Sequence, residues 1–340
     1  MLRMYVREAQ RLTLSQDEPG MSAETERDGA QAGAPVPAVL WYDLISPTPH
    51  EVKHVEHDLG IAVPTRDEME EIELSARLYQ EDGGEFMTVT ALSKLDGDEP
   101  MKTPVTFILK GATLVTVRYA DPKPFALFTA RALRVNAHSY SHGEEVMLGI
   151  LESVVDRMAD VLERIGNEID MISREVFRSK TGSSTKKTSN LQSLIEQLGQ
   201  KGDFLSSVRE SLVSISRMVA YHAAVETSGR KVAKEVRQMV KLLQRDTVSL
   251  GDHATFLSGK INFLLDATLG LINLEQNQII KIFTVASVVF LPPTMVASIY
   301  GMNFQAMPEL SWVLGYPWAL FVMFLSAAGP FYYFKRRGWL

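Results

Sequence analysis

Small and polar side chains recur at helical spacing through the last strongly apolar part of the chain. In steps of three and four residues, this polar stripe includes Asp266, Asn273, Asn277, Ser287, Thr294 and Ser298. Residues at this spacing share one face of a helix, and such a face in an apolar helix is typical of an aqueous ion path. Alternatively, the hydroxyls bond only to their own helix, and Asn273 and Asn277 lie outside the lipid, where polarity carries no cost.

The residue types limit the chemistry that this path serves. The chain has no cysteine, which excludes disulfide scaffolds, cysteine nucleophiles, thiolate zinc sites and iron–sulfur clusters. Oxygen and imidazole ligands are the metal chemistry that remains. We recognise neither a nucleophile arrangement of serine, histidine and acid nor a glycine-rich phosphate loop, so we predict no enzyme, no nucleotide and no organic cofactor.

Two apolar runs near the carboxyl end predict membrane-spanning helices. The first, 282–301, has no ionisable side chain except Tyr300, and the second, 316–334, has no formal charge. Helices of about 20 residues span roughly 30 Å, the thickness of the hydrocarbon layer. A buried core helix is the alternative for one such run, but it fits two charge-flanked runs poorly.

Charged residues around these runs predict the topology. Lys281 precedes the first span and Lys335, Arg336 and Arg337 follow the second, whereas the link 302–315 contains no lysine or arginine. The positive-inside rule then places both termini in the cytoplasm of a multi-pass protein of the plasma (inner) membrane. The start of the chain has too little apolar sequence for a signal peptide. The basic triplet is expected to form a collar or to bind lipid headgroups, although topology alone explains it.

The remainder of the chain reads as an α/β cytoplasmic domain followed by long α-helices. We predict a disordered polar tail at 1–38, an α/β domain at 39–135, long helices at 136–226, a stalk helix at 227–301 that continues into the first span (282–301), an extracytoplasmic loop at 302–315, a second span at 316–334 and a basic cytoplasmic end at 335–340. Residues 1–100 carry a net charge of −13 and the remainder +7, so the amino-terminal part is a poor nucleic-acid surface.

Short segments between turn signals predict strands at 39–44, 86–91, 104–109 and 113–119, and helical stretches at 49–59 and 66–77. Over 144–178 the pattern becomes that of one long amphipathic helix. Its apolar positions step by three and four: Leu148, Leu151, Val155, Met158, Leu162, Ile165, Ile169 and Ile172. Helices from about 191 to 225 and from about 230 onward are predicted to follow it.

The first span ends in the sequence Tyr300-Gly301-Met302-Asn303, and Met307-Pro308-Glu309-Leu310 follows in the loop. Together with the second span and the terminal Lys-Arg-Arg-Gly-Trp-Leu, this arrangement resembles the CorA family of divalent-cation transporters. The soluble segments Trp41-Tyr42-Asp43-Leu44, 64–72 and 104–109 also look like that family's amino-terminal domain. The resemblance to this family therefore extends over nearly all of the chain from Val39 onward.

This resemblance implies a homopentameric funnel in the lipid bilayer, with one long inner helix from each subunit around a central pore. The Gly-Met-Asn turn would form the outer mouth and selectivity site, where the Asn303 side chain and the Gly301 backbone meet a hydrated ion. The residues expected at this mouth are Tyr300, Gly301, Met302, Asn303 and Glu309. Positions matching pore-facing residues of the family are Asp266, Asn277, Ile280, Phe283, Leu291 and Thr294, of which the apolar Ile280, Phe283 and Leu291 would form the gate.

The expected substrate is Mg²⁺, with Co²⁺ and Ni²⁺ also carried, moving down the electrochemical gradient. Mg²⁺ gives up its waters reluctantly, so neutral amide oxygens suit its hydration shell. The resemblance also implies gating by cytoplasmic divalent cations. Asp246 and Asp252 on the stalk helix are candidates for the regulatory metal site, and Asp266 is a separate metal candidate in the pore. Leu242, however, stands where the family pattern has a sensing carboxylate. The alternatives are a zinc transporter of the same fold and a non-conducting, membrane-anchored divalent sensor or scaffold.

Overall fold

A computed structural model describes residues 1–8, 11–15, 39–97, 99–134, 140–178, 184–227, 234–303 and 307–339. The chain divides into two compact units, one formed by Met1–Glu175 and Glu196–Phe263 and the other by Val176–Ile195 and Leu264–Leu340. Three long helices contribute residues to both units: α5 (Gly143–Arg178), α6 (Ser184–Thr227) and α7 (Lys234–Tyr300).

The first unit contains a seven-stranded sheet. Its elements, in chain order, are β1 (Leu2–Glu8), β2 (Arg11–Leu14), β3 (Val39–Ile45), α1 (Pro49–Leu59), α2 (Arg66–Glu70), α3 (Leu74–Arg77), β4 (Leu78–Glu81), β5 (Gly84–Ser93), β6 (Met101–Lys110), β7 (Thr113–Arg118) and α4 (Lys123–Ala132). The strand order is β2-β1-β3-β7-β6-β5-β4. Every neighbouring pair is antiparallel except β3 and β7, which run parallel.

Helices cover both faces of this sheet. On one face, Val55 of α1 and Met69 of α2 pack in a buried cluster with sheet residues that include Leu44. On the other, Trp41 meets the Phe128 ring of α4 edge to face at 6.0 Å. Because both faces are covered, all ten residues of β5 are buried. The predicted α/β class and the four predicted strands are confirmed.

The amino terminus corrects one sequence prediction. Residues 1–38 were expected to be a disordered tail, but β1 and β2 form one edge of the sheet. Tyr5, Val6 and Leu12 are buried, and the Tyr5 ring stacks on Trp41 with centroids 4.3 Å apart. Besides its neighbour β2, β1 pairs with β3, which begins more than 30 residues later in the chain, so this order depends on a long-range pairing. Residues 16–38 lie outside the described part.

The helix at 49–59 is confirmed, and it begins with a capping box formed by Thr48 and Glu51. The stretch predicted as helical at 66–77 is instead two short helices, α2 and α3. Ile72, between them, is 90% exposed, so no apolar contact supports an extra turn there.

The long helices agree with the predicted periodicity. All eight apolar positions named for 144–178 are buried in α5. Helix α6 begins at Ser184, ahead of the predicted start at 191, whereas 179–183 and 228–233 lie outside the described residues. Helix α7 runs without interruption through Pro292 and Pro293 to Tyr300. A short 3-10 turn (Pro308–Ser311) and α8 (Gly315–Arg336) complete the second unit.

Candidate functional site

The two faces of α7 differ in burial. One face is buried within the chain along positions three and four residues apart: Val236, Val240, Leu243, Thr247, Ala254, Leu257, Ile261, Leu264 and Thr268. A different face has exposed positions that repeat every seven residues at Leu242, Phe256 and Phe263. The same repeat continues at Asn277, Leu291 and Ser298, where nearly all of α7 is exposed, with Asp252, Asp266, Asn273, Ile280, Ser287 and Thr294 beside it. A sustained seven-residue repeat is typical of helices that pack along a left-handed supercoil.

This exposed face of α7 contains every polar residue predicted to line the ion path. Thr294 illustrates the hydroxyl geometry, because its Oγ1 donates a hydrogen bond of 2.8 Å to the carbonyl oxygen of Phe290. Thr284 donates in the same way to Ile280. Once the proton is used within the helix, the lone pairs of the hydroxyl oxygen remain as acceptors. Acceptors are the groups that hydration-shell waters, which donate their protons outward, require.

The three residues predicted as the gate are also exposed. Ile280, Phe283 and Leu291 have exposed fractions of 60%, 68% and 67%. Such large apolar side chains at solvent-accessible positions need lipid or another protein surface around them. Their role as a constriction stays a prediction, as does the pore-facing role of the polar stripe.

A tight helix end forms the predicted outer mouth. The Gly301 N–H donates to the carbonyl oxygen of Ala297 at 3.0 Å, and the Met302 N–H donates to Ile299 at 3.2 Å. A Cβ atom at Gly301 would lie 3.2 Å from the same Ala297 oxygen, so glycine suits this close turn. Asn303 is exposed immediately after it.

The other predicted mouth residues flank this turn. Tyr300 is half-buried and ends α7, and Met302 is exposed. Glu309 falls in the 3-10 turn, but its side chain lies outside the described residues, as do residues 304–306. Their participation in the mouth stays a prediction.

The regulatory candidates lie on the exposed side of α7 in the first unit. Burial and the charge of Glu152 raise the pKa of Asp156 on α5, with smaller contributions from Asp160 and Asp246 and an opposing one from Arg131, so Asp246 lies near a surface that carries both acids and an arginine. Asp252 instead lines a groove of about 250 Å³ that also exposes Arg209 and Arg217, which disfavours a cation there. Across the described ranges, no three histidine, aspartate or glutamate side chains are grouped closely enough to hold a metal ion.

One buried polar cluster was not predicted from the sequence. His222 on α6 lies between two carboxylates, with Nδ1 2.9 Å from Glu85 Oε1 and Nε2 3.0 Å from Glu144 Oε1. The two ring nitrogens point in opposite directions, so the two glutamates cannot share one metal ion with this histidine. The sequence does contain one indication that His222 is buried: it follows Ile215 and Val219 at the spacing of the apolar face of α6.

Helices α7 and α8 have the length and composition of membrane-spanning helices. Helices α7 and α8 are both long and apolar enough to cross a membrane, and only 6% of the most apolar window of each is buried within the chain. A core helix of a soluble protein would be mostly buried. The basic residues Lys335, Arg336 and Arg337 lie exposed at the end of α8.

Comparison with known proteins identifies the family. The model of the family described as CorA-like Mg²⁺ transporter protein matches residues 37–336. The chain belongs to the CorA family. A CorA relative, the magnesium transport protein CorA of Escherichia coli (strain K12), is 35% identical over 306 residues, which cover 90% of this chain and 93% of that protein. The Salmonella typhimurium protein of the same name is 36% identical over 301 residues, or 88% and 92% of the two chains.

The CorA fold is also evident from a solved structure. The complete CorA magnesium transporter from Methanocaldococcus jannaschii matches with a TM-score of 0.75 and 18% sequence identity, covering 100% of this chain and 99% of that one. The similarity therefore includes the sheet, the long helices and the two carboxyl-terminal helices. The resemblance inferred from the sequence is confirmed.

Proposed function

We propose that this CorA chain is one subunit of a homopentameric channel that carries Mg²⁺ into the cytoplasm down its electrochemical gradient. The observation that carries the proposal is the seven-residue repeat of exposed residues on α7, which continues from the soluble region into the apolar span. The magnesium transport proteins that it resembles at 35% and 36% identity support the substrate.

Assembly around α7 explains an exposed surface that is too apolar for water. Phe256 and Phe263 lie in the first unit, yet they are 65% and 59% exposed in the single chain. Apolar side chains aligned along one helix face stabilise a protein when copies of that face pack together. Five such helices around one axis would bury this face and leave a central path.

The proposed path offers Mg²⁺ oxygen acceptors in sequence. Five copies of Asn303 would receive the hydrated ion at the outer mouth, and Thr294, Asn277 and Asp266 would follow toward the cytoplasm. Neutral oxygens can bind the hydration shell without removing it, which suits an ion that is slow to dehydrate. Rings of Ile280, Phe283 and Leu291 would close the path by excluding water.

The membrane potential supplies the driving force. A divalent cation that crosses 100 mV gains about 4.6 kcal/mol, twice the value for a single charge. With both termini in the cytoplasm, this gradient draws the ion toward the soluble units. The proposal therefore requires neither nucleotide nor organic cofactor, and Co²⁺ and Ni²⁺ would travel by the same path.

Regulation by cytoplasmic Mg²⁺ follows from the acidic surface that includes Asp246. Repulsion among these carboxylates disfavours close approach of subunits, and a bound divalent cation would offset it. Low cytoplasmic Mg²⁺ would then loosen the packing and open the path. Both regulatory candidates have basic neighbours: Arg131 lies at the surface near Asp246, and Arg209 and Arg217 line the groove of Asp252.

Flux into proteoliposomes tests the proposal. Wild-type protein with low internal Mg²⁺ should take up Mg²⁺, and Asn303→Ala should slow uptake at least tenfold if the amide ring receives the ion. Equal uptake by the two would remove Asn303 from the mouth. Preferential uptake of Zn²⁺ would favour the zinc alternative, and no uptake of any divalent ion would favour the scaffold.

A matched pair of amides tests which face of α7 lines the path. Asn277 and Gln278 are adjacent and both exposed, but only Asn277 belongs to the seven-residue repeat. Asn277→Leu should lower Mg²⁺ flux, whereas Gln278→Leu should leave it near the wild-type rate. The reverse result would place the axis on another face of the helix.

A further inference from the structure

The carboxyl end of α8 is closed by a defined helix-capping motif. The Gly338 N–H donates to the Lys335 carbonyl at 3.2 Å, and the Trp339 N–H donates to the Phe334 carbonyl at 3.1 Å. With Gly338 at φ 70°, these are the two hydrogen bonds of a Schellman motif. The Phe334 and Trp339 rings make its apolar contact, with centroids 5.3 Å apart. The motif therefore turns the chain back and fixes the position of Trp339.

The Trp339 ring meets the start of the first span. Lys281 Nζ lies 5.8 Å from the Trp339 ring centroid, within the range of a cation–π contact. Lys281 is the last charged residue before the apolar run of α7, so this contact brings the ends of both spans to one level. Arg337 lies over the Tyr333 ring in the same manner, at 5.5 Å.

Four cations are gathered at this level without acidic partners. Lys281, Lys335, Arg336 and Arg337 are all exposed, and none forms an ion pair with any residue in the described parts of the chain. Two of the four contact aromatic faces rather than carboxylates. Their combined charge is therefore available to an anion from outside the subunit.

We propose that Lys281 and the Schellman-capped end of α8 bind the phosphate group of an anionic phospholipid. Cations that flank two membrane-spanning helices lie at headgroup depth, where tryptophan and tyrosine rings are also favoured. Arginine presents a planar set of donors that matches a phosphate, and lysine adds a compact charge. The proposal uses the membrane-spanning placement of α7 and α8, but it does not depend on ion conduction.

Native mass spectrometry of the full-length assembly in neutral detergent tests this site. The probes are phosphatidylglycerol and phosphatidylcholine, added separately to wild type and to Lys281→Gln/Arg337→Gln. Each cation near a bilayer surface changes affinity for an anionic lipid about fivefold. The double variant should therefore bind phosphatidylglycerol on the order of 25-fold more weakly, with phosphatidylcholine binding unchanged.

The matched control removes the same charge elsewhere. Arg237 and Lys241 are exposed on α7 in the first unit, so Arg237→Gln/Lys241→Gln should keep the wild-type lipid preference. Trp339→Leu tests the geometry with all four cations present. It removes the cation–π contact and should weaken phosphatidylglycerol binding several-fold, even if the double variant fails to fold.

Three outcomes would overturn the proposal. The first is equal preference for phosphatidylglycerol in the wild type and both site variants. The second is displacement of the lipid by millimolar inorganic phosphate, which would identify a site for free phosphate. The third is that Lys281→Gln/Arg337→Gln loses the oligomer in lipid-free detergent while it keeps the wild-type lipid preference. That result would assign the cations to a contact with a second copy of the chain. Because the readout is lipid binding, a result here is separable from any result on Mg²⁺ flux.

Discussion

His222→Gln is expected to destabilise the first unit most strongly at acidic to neutral pH. The imidazole is 3% exposed and bridges Glu85 of β5 and Glu144 of α5. Burial alone lowers the pKa of His222, but the hydrogen bonds and charges of Glu144 and Glu85 outweigh it and raise the pKa to about 9. The protonated ring therefore holds α5 and α6 to the sheet, and glutamine, which is uncharged, cannot offset two carboxylates.

The raised pKa sets the size and the pH range of the effect. A shift from 6.5 to about 9 corresponds to about 3 kcal/mol of folding free energy, since one pKa unit is about 1.36 kcal/mol. Because the folded-state pKa is the higher one, this contribution is complete below about pH 6.5. It is lost as the pH rises through about 9, where the folded protein also releases the proton.

Urea unfolding in detergent measures this contribution. Fluorescence of Trp41, which is buried on the sheet, reports the first unit once the three tryptophans of the carboxyl-terminal segment are replaced by phenylalanine. The wild type should exceed His222→Gln by about 3 kcal/mol at pH 6.5, and the difference should shrink by pH 10. His142→Gln, at an exposed position, is the control. A difference that stays constant or grows with pH would refute the reasoning.

Three further substitutions test contacts within the same unit. A Cβ atom at Gly149 would lie 2.5 Å from the Phe128 ring, so Gly149→Ala should cost about 1–3 kcal/mol by overpacking, and an unchanged melting temperature would contradict this close contact. Asp43→Asn should cost about 3–5 kcal/mol because it leaves the buried Arg118 charge without its bidentate partner. Asp121→Asn, which alters the solvent-exposed partner of the same arginine, should cost less than about 1 kcal/mol, and equal losses in thermal unfolding would contradict the distinction.

Periodic patterns predicted the helical parts of this chain well. The eight apolar positions of α5 are all buried because a repeat of three and four residues produces one continuous apolar face, whichever surface covers it. The spans were equally clear, since an uncharged run of about 20 residues is a local property. The start of α6 at Ser184 was missed because the segment before 191 is rich in serine, threonine and lysine, which carry little apolar signal.

Strand pairing was harder to predict. The short strands β1 and β2 looked like part of a polar tail, because β1 is stabilised by its register with β3 rather than by its own composition. In the same way, β4 and α4 were not predicted, since each acquires its apolar contacts from elements elsewhere in the sheet. The local sequence of a strand shows which of its faces is apolar, but it does not show which distant strand pairs with it.

The sequence by itself determined the two apolar runs long enough to span a membrane, the long stalk helix, the polar stripe and the Gly301-Met302-Asn303 turn. Each of these depends on the order and spacing of neighbouring residues. Only the tertiary structure decided that His222 meets Glu85, 137 residues away, and Glu144, 78 residues away, and that Trp339 lies against Lys281. Such partners are selected by sheet order and helix packing, because a charge is stabilised by whatever the fold places within a few ångströms of it.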